Sequence, residues 1–183
     1  MIKSLKYLFS VCLLFTFMGA QAQFDVGATI GVQFPTGSFG DIAKTGFGFT
    51  VVGKYHLKEN MAVGLNIGYY GFGVKDVGVS GYKATASMMP ITALFEYQFG
   101  TGSVKPYVGA DLGLYRFGVK ETHQGESFSS AKTYFGLAPT GGILYGLSDK
   151  LSLCANLKYN VVFSEGEDTA WLGINVGLIF KIK

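Results

Sequence analysis

The sequence predicts an all-β chain, an eight-stranded antiparallel up-and-down transmembrane β-barrel. Three observations predict it. Apolar residues alternate one by one with other residues over segment after segment. The connections between these segments alternate between short and long. The face opposite the apolar one carries glycines and scattered polar groups, not the charged surface that water would require.

Composition bounds the reading. A chain of 183 residues suits one domain, two at most. Hydrophobic residues make up 49% and charged residues 15%, which excludes a disordered or highly solvated chain. Glycine, at 27 residues, is about twice its usual share, with no G-X-Y period to suggest collagen. The net charge of +3 includes Lys3 and Lys6 of the first segment. No basic stripe is visible, so no nucleic-acid partner is expected.

Residues 1–22 read as a secretory signal peptide. Lys3 and Lys6 form a basic start, 7–18 is an apolar run, and Ala20-Gln21-Ala22 is a small-x-small cleavage site. The apolar run is too short for a spanning helix, and Val11 before Cys12 does not make a lipidation site. Residues 23–183 then form the barrel domain, and this part is expected to be the whole mature protein. It holds one cysteine, Cys154, so no internal disulfide is expected.

The eighth segment shows the alternation most clearly. Leu172, Ile174, Val176, Leu178, Phe180 and Ile182 share one face, and Gly173, Asn175, Gly177, Ile179 and Lys181 share the other. The same reading places strands at about 24–34, 46–57, 61–74, 88–99, 105–118, 133–146, 150–163 and 170–182. The fourth sets Ile91, Ala93, Phe95 and Tyr97 against Thr92, Leu94, Glu96 and Gln98. The seventh sets Leu151, Leu153, Leu157 and Tyr159 against Ser152, Cys154, Asn156 and Lys158. Short turns lie at 58–60, 101–104 and 148–150, and long connections at 35–45, 75–87, 120–132 and 164–169. A meander with short turns at one end and long loops at the other is the pattern of an outer-membrane barrel.

A soluble barrel turns its apolar face inward; a membrane barrel turns it outward. Twelve glycines, among them Gly48, Gly136, Gly142 and Gly173, fall on the less apolar face, beside Lys54, Glu96, Asp111 and Lys158. Such a face suits a narrow lumen, where small residues make room for a few long ones. Tyr70, Phe72, Tyr107, Tyr115 and Tyr134 are expected inside, with the four charges paired across the lumen. Asp25 and Lys181 are expected to pair at the seam of the first and eighth strands. The outward face carries aromatic girdles, with Tyr55, Tyr97, Phe99, Tyr145 and Phe180 near the short turns and Phe34, Phe47, Tyr69, Phe135 and Phe163 near the long loops. Arg116 also points outward, eleven residues along from Lys105, and is placed at the outer interface beside lipid head groups.

The chain resembles the small eight-stranded outer-membrane barrels of the OmpA/OmpX type, and more closely the outer-membrane protein β-barrel domain family. The resemblance rests on Met89-Pro90-Ile91-Thr92, on Lys105-Pro106-Tyr107-Val108-Gly109-Ala110 with Gly113-Leu114-Tyr115, and on the C-terminal 175–182. That last segment is similar to a barrel assembly signal, although the chain ends Phe180-Lys181-Ile182-Lys183 where many members end in Phe. The resemblance implies localisation in a Gram-negative outer membrane and is nearly silent on activity.

No catalytic, cofactor-binding or metal-binding residues are expected. His56 reads as a polar lumen residue near a short turn. His123 lies among Glu121, Glu126 and Ser127, but polar neighbours are what any surface loop contains. Two separated histidines and one cysteine give no zinc spacing, and Glu165, Glu167 and Asp168 read as a solvated acidic turn. The expectation is a monomeric, non-enzymatic integral outer-membrane protein. It contacts outer-membrane lipid and, through its long loops, an unidentified extracellular partner. A membrane-embedded lipid-modifying enzyme, a narrow pore and a soluble ligand-binding barrel are the alternatives.

Overall fold

The computed structural model describes residues 23–75, 82–123, 126–164 and 169–182; at 82–83, 121–123 and 126–128 it describes the backbone alone. The chain forms β1 (Phe24–Thr36), a short helix α1 (Gly37–Ile42), β2 (Ala43–Lys58), β3 (Met61–Val74), β4 (Tyr82–Gln98), β5 (Val104–His123), β6 (Glu126–Gly146), β7 (Leu151–Phe163) and β8 (Thr169–Lys181). Each strand pairs antiparallel with its sequence neighbours, and β1 pairs with β8 to close the barrel. The seam runs in unbroken register from Asp25↔Lys181 to Thr36↔Ala170. Among the described residues no helix is long and apolar enough to cross a membrane, so any crossing is made by strands.

Alternation decides which side chains enter the lumen. Along β4, Thr92, Leu94, Glu96 and Gln98 are buried, while Ile91 and Phe95 are exposed. Along β8, Trp171, Asn175 and Ile179 are buried, and Ile174, Val176, Leu178 and Phe180 face out. The barrel is therefore apolar outside, as expected for a wall against lipid. The girdle residues are exposed or half-buried at both ends, with Tyr97 and Phe99 edge to face at 5.1 Å and Phe135 and Phe163 stacked at 6.4 Å. Arg116 is exposed on the outward face, as its parity predicts.

Inside, rings lie against glycines. A Cβ on Gly48 would stand 2.2 Å from Tyr70 Cδ1, one on Gly136 2.7 Å from the Tyr115 ring, and one on Gly142 2.6 Å from Tyr107 Cζ. Each ring occupies space that any larger residue on the neighbouring strand would take.

Three sequence expectations need correction. First, the strands β4, β5 and β6 run well past the bounds that hydrophobic alternation suggests. Residues 120–132, read as a long loop, are mostly paired backbone, with β5 and β6 in register from Val104↔Tyr145 to His123↔Glu126. Beyond the lipid both sheet faces meet water, so the alternation stops while the backbone pairing continues. Second, the connection 35–45 contains α1, which begins at Gly37 with φ at 58°, a conformation that favours glycine. Third, Asp25 lies opposite Lys181 in the ladder, but its carboxylate bonds His56 Nε2 at 2.8 Å. Asp25 lies between β2 and β8, so both strands offer it a cationic or donor side chain, and the imidazole from β2 makes the bond. The acidic turn of Glu165, Glu167 and Asp168, the signal segment 1–22 and the side chains of Glu121, His123, Glu126 and Ser127 lie outside what is described.

The glycine–ring fit predicts that Gly48→Val destabilises the barrel by about 1–3 kcal/mol, the usual range for overpacking. The midpoint of the heat-induced gel-mobility shift measures this, and an unchanged midpoint would show that Tyr70 does not fill that space.

Candidate functional site: the lumen and its two mouths

The lumen has a polar half toward the short turns and an aromatic half toward the long connections. In the polar half Lys54 on β2 donates to Glu96 Oε2 on β4 at 2.5 Å, and its ammonium lies 5.4 Å from the centroid of the Tyr107 ring. Gln98 Nε2 donates to the other Glu96 oxygen at 2.9 Å. Deeper in, Lys158 on β7 pairs with Asp111 on β5, which also accepts from Asn66 Nδ2 at 2.7 Å. The four charges expected inside are therefore brought together as two cross-lumen pairs. Each pair skips at least one intervening strand, so each ties the wall across the lumen.

A ladder of polar side chains runs across β8, β1 and β7. Trp171 Nε1 donates to Gln33 Oε1 at 3.1 Å, Gln33 Nε2 to Asn175 Oδ1 at 2.9 Å, and Asn175 Nδ2 to Asn156 Oδ1 at 2.9 Å. Asn156 then reaches Cys154 Sγ, which lies 3.4 Å from the Tyr107 hydroxyl. Cys154 is thus a buried member of the ladder. Buried polar groups need such partners, since an unmade hydrogen bond there costs about 1–3 kcal/mol. The space left among these groups is about 40 Å³, room for only a few waters.

The aromatic half closes the other end. Trp171 stands edge to face with Tyr70 at 6.1 Å, Phe72 at 5.9 Å and Tyr115 at 5.9 Å. α1 drops Phe39 onto this group, 5.2 Å from Phe72 and 6.5 Å from Trp171. Lys75 holds the helix in place, its backbone N–H donating to Ile42 O at 2.8 Å and its ammonium to Gly40 O at 2.7 Å. Tyr70, Phe72, Tyr107 and Tyr115 are buried as expected, and Tyr134 is half-buried against the same cluster. Sequence reasoning missed Trp171 and Phe39. Trp171 shares the parity of Gly173 and Asn175, so alternation already held the signal. Phe39 lies in a non-strand segment, where periodicity has nothing to say.

At the short-turn mouth Asp25 and His56 form a bonded pair beside Gln98, Ser152 and Lys181, which line a vestibule of about 570 Å³. His56 is accordingly a polar lumen residue, as its position predicted.

The chain is thus a closed eight-strand wall, apolar outside and filled inside. A sequence model of the outer membrane protein beta-barrel domain matches residues 8–180. The chain belongs to that family. Among solved structures, Neisserial surface protein A is 22% identical with a TM-score of 0.65, the match covering 89% of this chain and 100% of that one. A major outer membrane protein from Thermus thermophilus gives 14% identity and a TM-score of 0.67, over 89% of this chain and 100% of that one. The outer membrane protein OprG from Pseudomonas aeruginosa gives 15% and 0.59, over 88% and 96%. A search of curated protein sequences gives no match. At these identities the structural likeness concerns the fold, and the family assignment adds the outer membrane as its setting.

The cross-lumen pairs make a testable claim. Lys54→Met leaves Glu96 buried without its cation and is expected to destabilise by roughly 3 kcal/mol, with Lys54→Met/Glu96→Gln recovering most of the loss. A double-mutant cycle in thermal unfolding reads the coupling, and additive single effects would remove the pair from the account.

Proposed function

We propose that the protein is a non-enzymatic, non-conducting, monomeric barrel of the outer membrane, exported by its first 22 residues, whose long-connection end meets the outside of the cell. The single observation that carries this reading is the filled lumen: paired charges, a bonded polar ladder and an aromatic plug closed by Phe39. Moving an ion through it requires breaking buried ion pairs, each break costing about 3–5 kcal/mol, and displacing the plug as well. The narrow pore is disfavoured by the same contacts. The lipid-modifying enzyme is disfavoured because His56, the histidine whose side chain is described, is bonded to Asp25 at the end of the barrel away from the long connections.

With transport and catalysis set aside, the protruding ends of β4, β5 and β6 are the part left to recognise an extracellular partner. At about 3.4 Å per residue, the 20 residues of β5 are roughly twice the span a membrane strand needs. Most residues on the extension are polar or charged, with Val119 and Phe128 among the exceptions, which suits water and a macromolecular surface.

Purified protein in a planar bilayer is expected to give no stable conductance steps; reproducible long-lived channels from a verified monomer would revive the pore. Orientation has its own test. Cys154 is buried, so Asp41→Cys on α1 and Gly102→Cys in a short turn each place one exposed thiol on the mature chain. A maleimide too large to cross the outer membrane should label Asp41→Cys in intact cells and spare Gly102→Cys. The reverse pattern overturns the proposed orientation.

A further inference from the structure

On the outward face of β3 to β6, three rows of residues lie one above another just past the lipid-facing belt. The lower row holds Met89, Arg116 and Thr133, with Tyr69 two residues down β3 from Gly71. The middle row is Gly71, Ser87, Gly118 and Ala131. The upper row is Gly73, Thr85, Lys120 and Ser129. Nothing in the middle row is larger than serine, and the wall is recessed there by a groove of about 860 Å³. Arg116 stands on one rim and Lys120 on the other, with Gly118 between them on the same face of β5. Both side chains are long enough to bend over the glycine. The groove has no acidic lining residue, and neither cation has an ion-pair partner among the described residues.

The level of the groove indicates what meets it. Directly below Arg116 on β5 lie Leu114 and Leu112, both exposed, with Ile91 opposite Leu114 and Phe135 of the girdle on its other side. Arg116 is therefore the first charged group above the apolar belt, at the depth of lipid head groups. A guanidinium and an ammonium bracketing a recess, with no ion-pair partner among the described residues, favour an anion with several oxygens, and a guanidinium fork matches phosphate. The Thr85 and Ser129 hydroxyls add donors at the upper rim.

We propose that this groove seats the phosphorylated head group of an outer-leaflet lipid, gripped between Arg116 and Lys120. The acyl chains descend over Leu114, Leu112 and Ile91. The outer-leaflet assignment rests on the orientation proposed above; the phosphate site does not.

The test uses the full mature chain in a neutral maltoside detergent, titrated with diphosphorylated lipid A and read by native mass spectrometry. Wild type is expected to retain one lipid. Arg116→Gln/Lys120→Gln is expected to bind at least tenfold more weakly. Ala131→Phe fills the recess while keeping both cations, and is expected to weaken binding to a similar degree. Inorganic phosphate in millimolar excess should not displace the lipid. Unchanged affinity in the double variant overturns the site. Loss in the double variant with full binding by Ala131→Phe also overturns it, since surface charge rather than the recess would then hold the lipid. Displacement by inorganic phosphate would replace the lipid head group with a free anion and overturn the assignment. The heat-shift gel certifies each variant as folded, and Lys120→Gln alone serves if the double variant fails to fold. Because the titration is made in detergent, its result is independent of the labelling experiment that reads orientation.

Discussion

A backbone that crosses lipid has no water to bond, so every N–H and C=O within the hydrocarbon must find a partner in the protein. For strands this means a sheet without edges, and the β1–β8 ladder is where this chain meets the requirement. Closure at eight strands then fixes the lumen to about the width of the side chains that fill it. The glycines opposite Tyr70, Tyr107 and Tyr115 follow from that width, because two large residues cannot share one level. So do the two ion pairs. A charge in so narrow a space cannot keep its hydration shell and must be met by an opposite charge or a hydrogen-bonding side chain.

The core is thus turned inside out and divided by depth. Toward the short turns it is a network of carboxylates, ammonium groups and amides linked by hydrogen bonds and ion pairs, although Asp25 Oδ1, His56 Nδ1 and Thr92 Oγ1 stay without a partner among the described residues. Toward the long connections it is a set of rings in edge-to-face contact around Trp171. The division has a physical logic. The aromatic end excludes water from the polar network beneath it, and with water excluded the ion pairs and hydrogen bonds are stronger. α1 completes the exclusion through one side chain, Phe39, and is itself fixed by Lys75 from β3's end.

Outside, the wall changes character where the lipid ends. Below that level the outward residues are mainly leucines, isoleucines, valines and girdle aromatics; above it they are glycine, alanine, serine, threonine and lysine on strands that continue unbroken. The sheet therefore carries its backbone order out of the membrane into a region with no apolar driving force, held by the ladder between β5 and β6. Such an extension can present a surface of fixed geometry where a long loop would present a mobile one.

The sequence alone determined the architecture, the inward and outward parity of every strand, the four paired lumen charges and the tyrosines and Phe72 that stand beside the glycines. These depend on period-2 alternation and on the inside-out composition, both local properties that survive without knowledge of neighbours. Residues 120–132 escaped it because hydrophobic alternation reports lipid contact, and the strand outlasts the lipid. Trp171 was legible in its parity with Asn175, but its place at the centre of a ring cluster was not, since that depends on which strands meet across the lumen. Only the tertiary structure decided that Asp25 bonds His56 instead of Lys181. Both candidates face the carboxylate from adjacent strands, and the choice turns on side-chain reach and direction, quantities that no alternation pattern carries. The groove between Arg116 and Lys120 was likewise set by register across four strands, because a recess exists only when small residues from separate segments fall on one level.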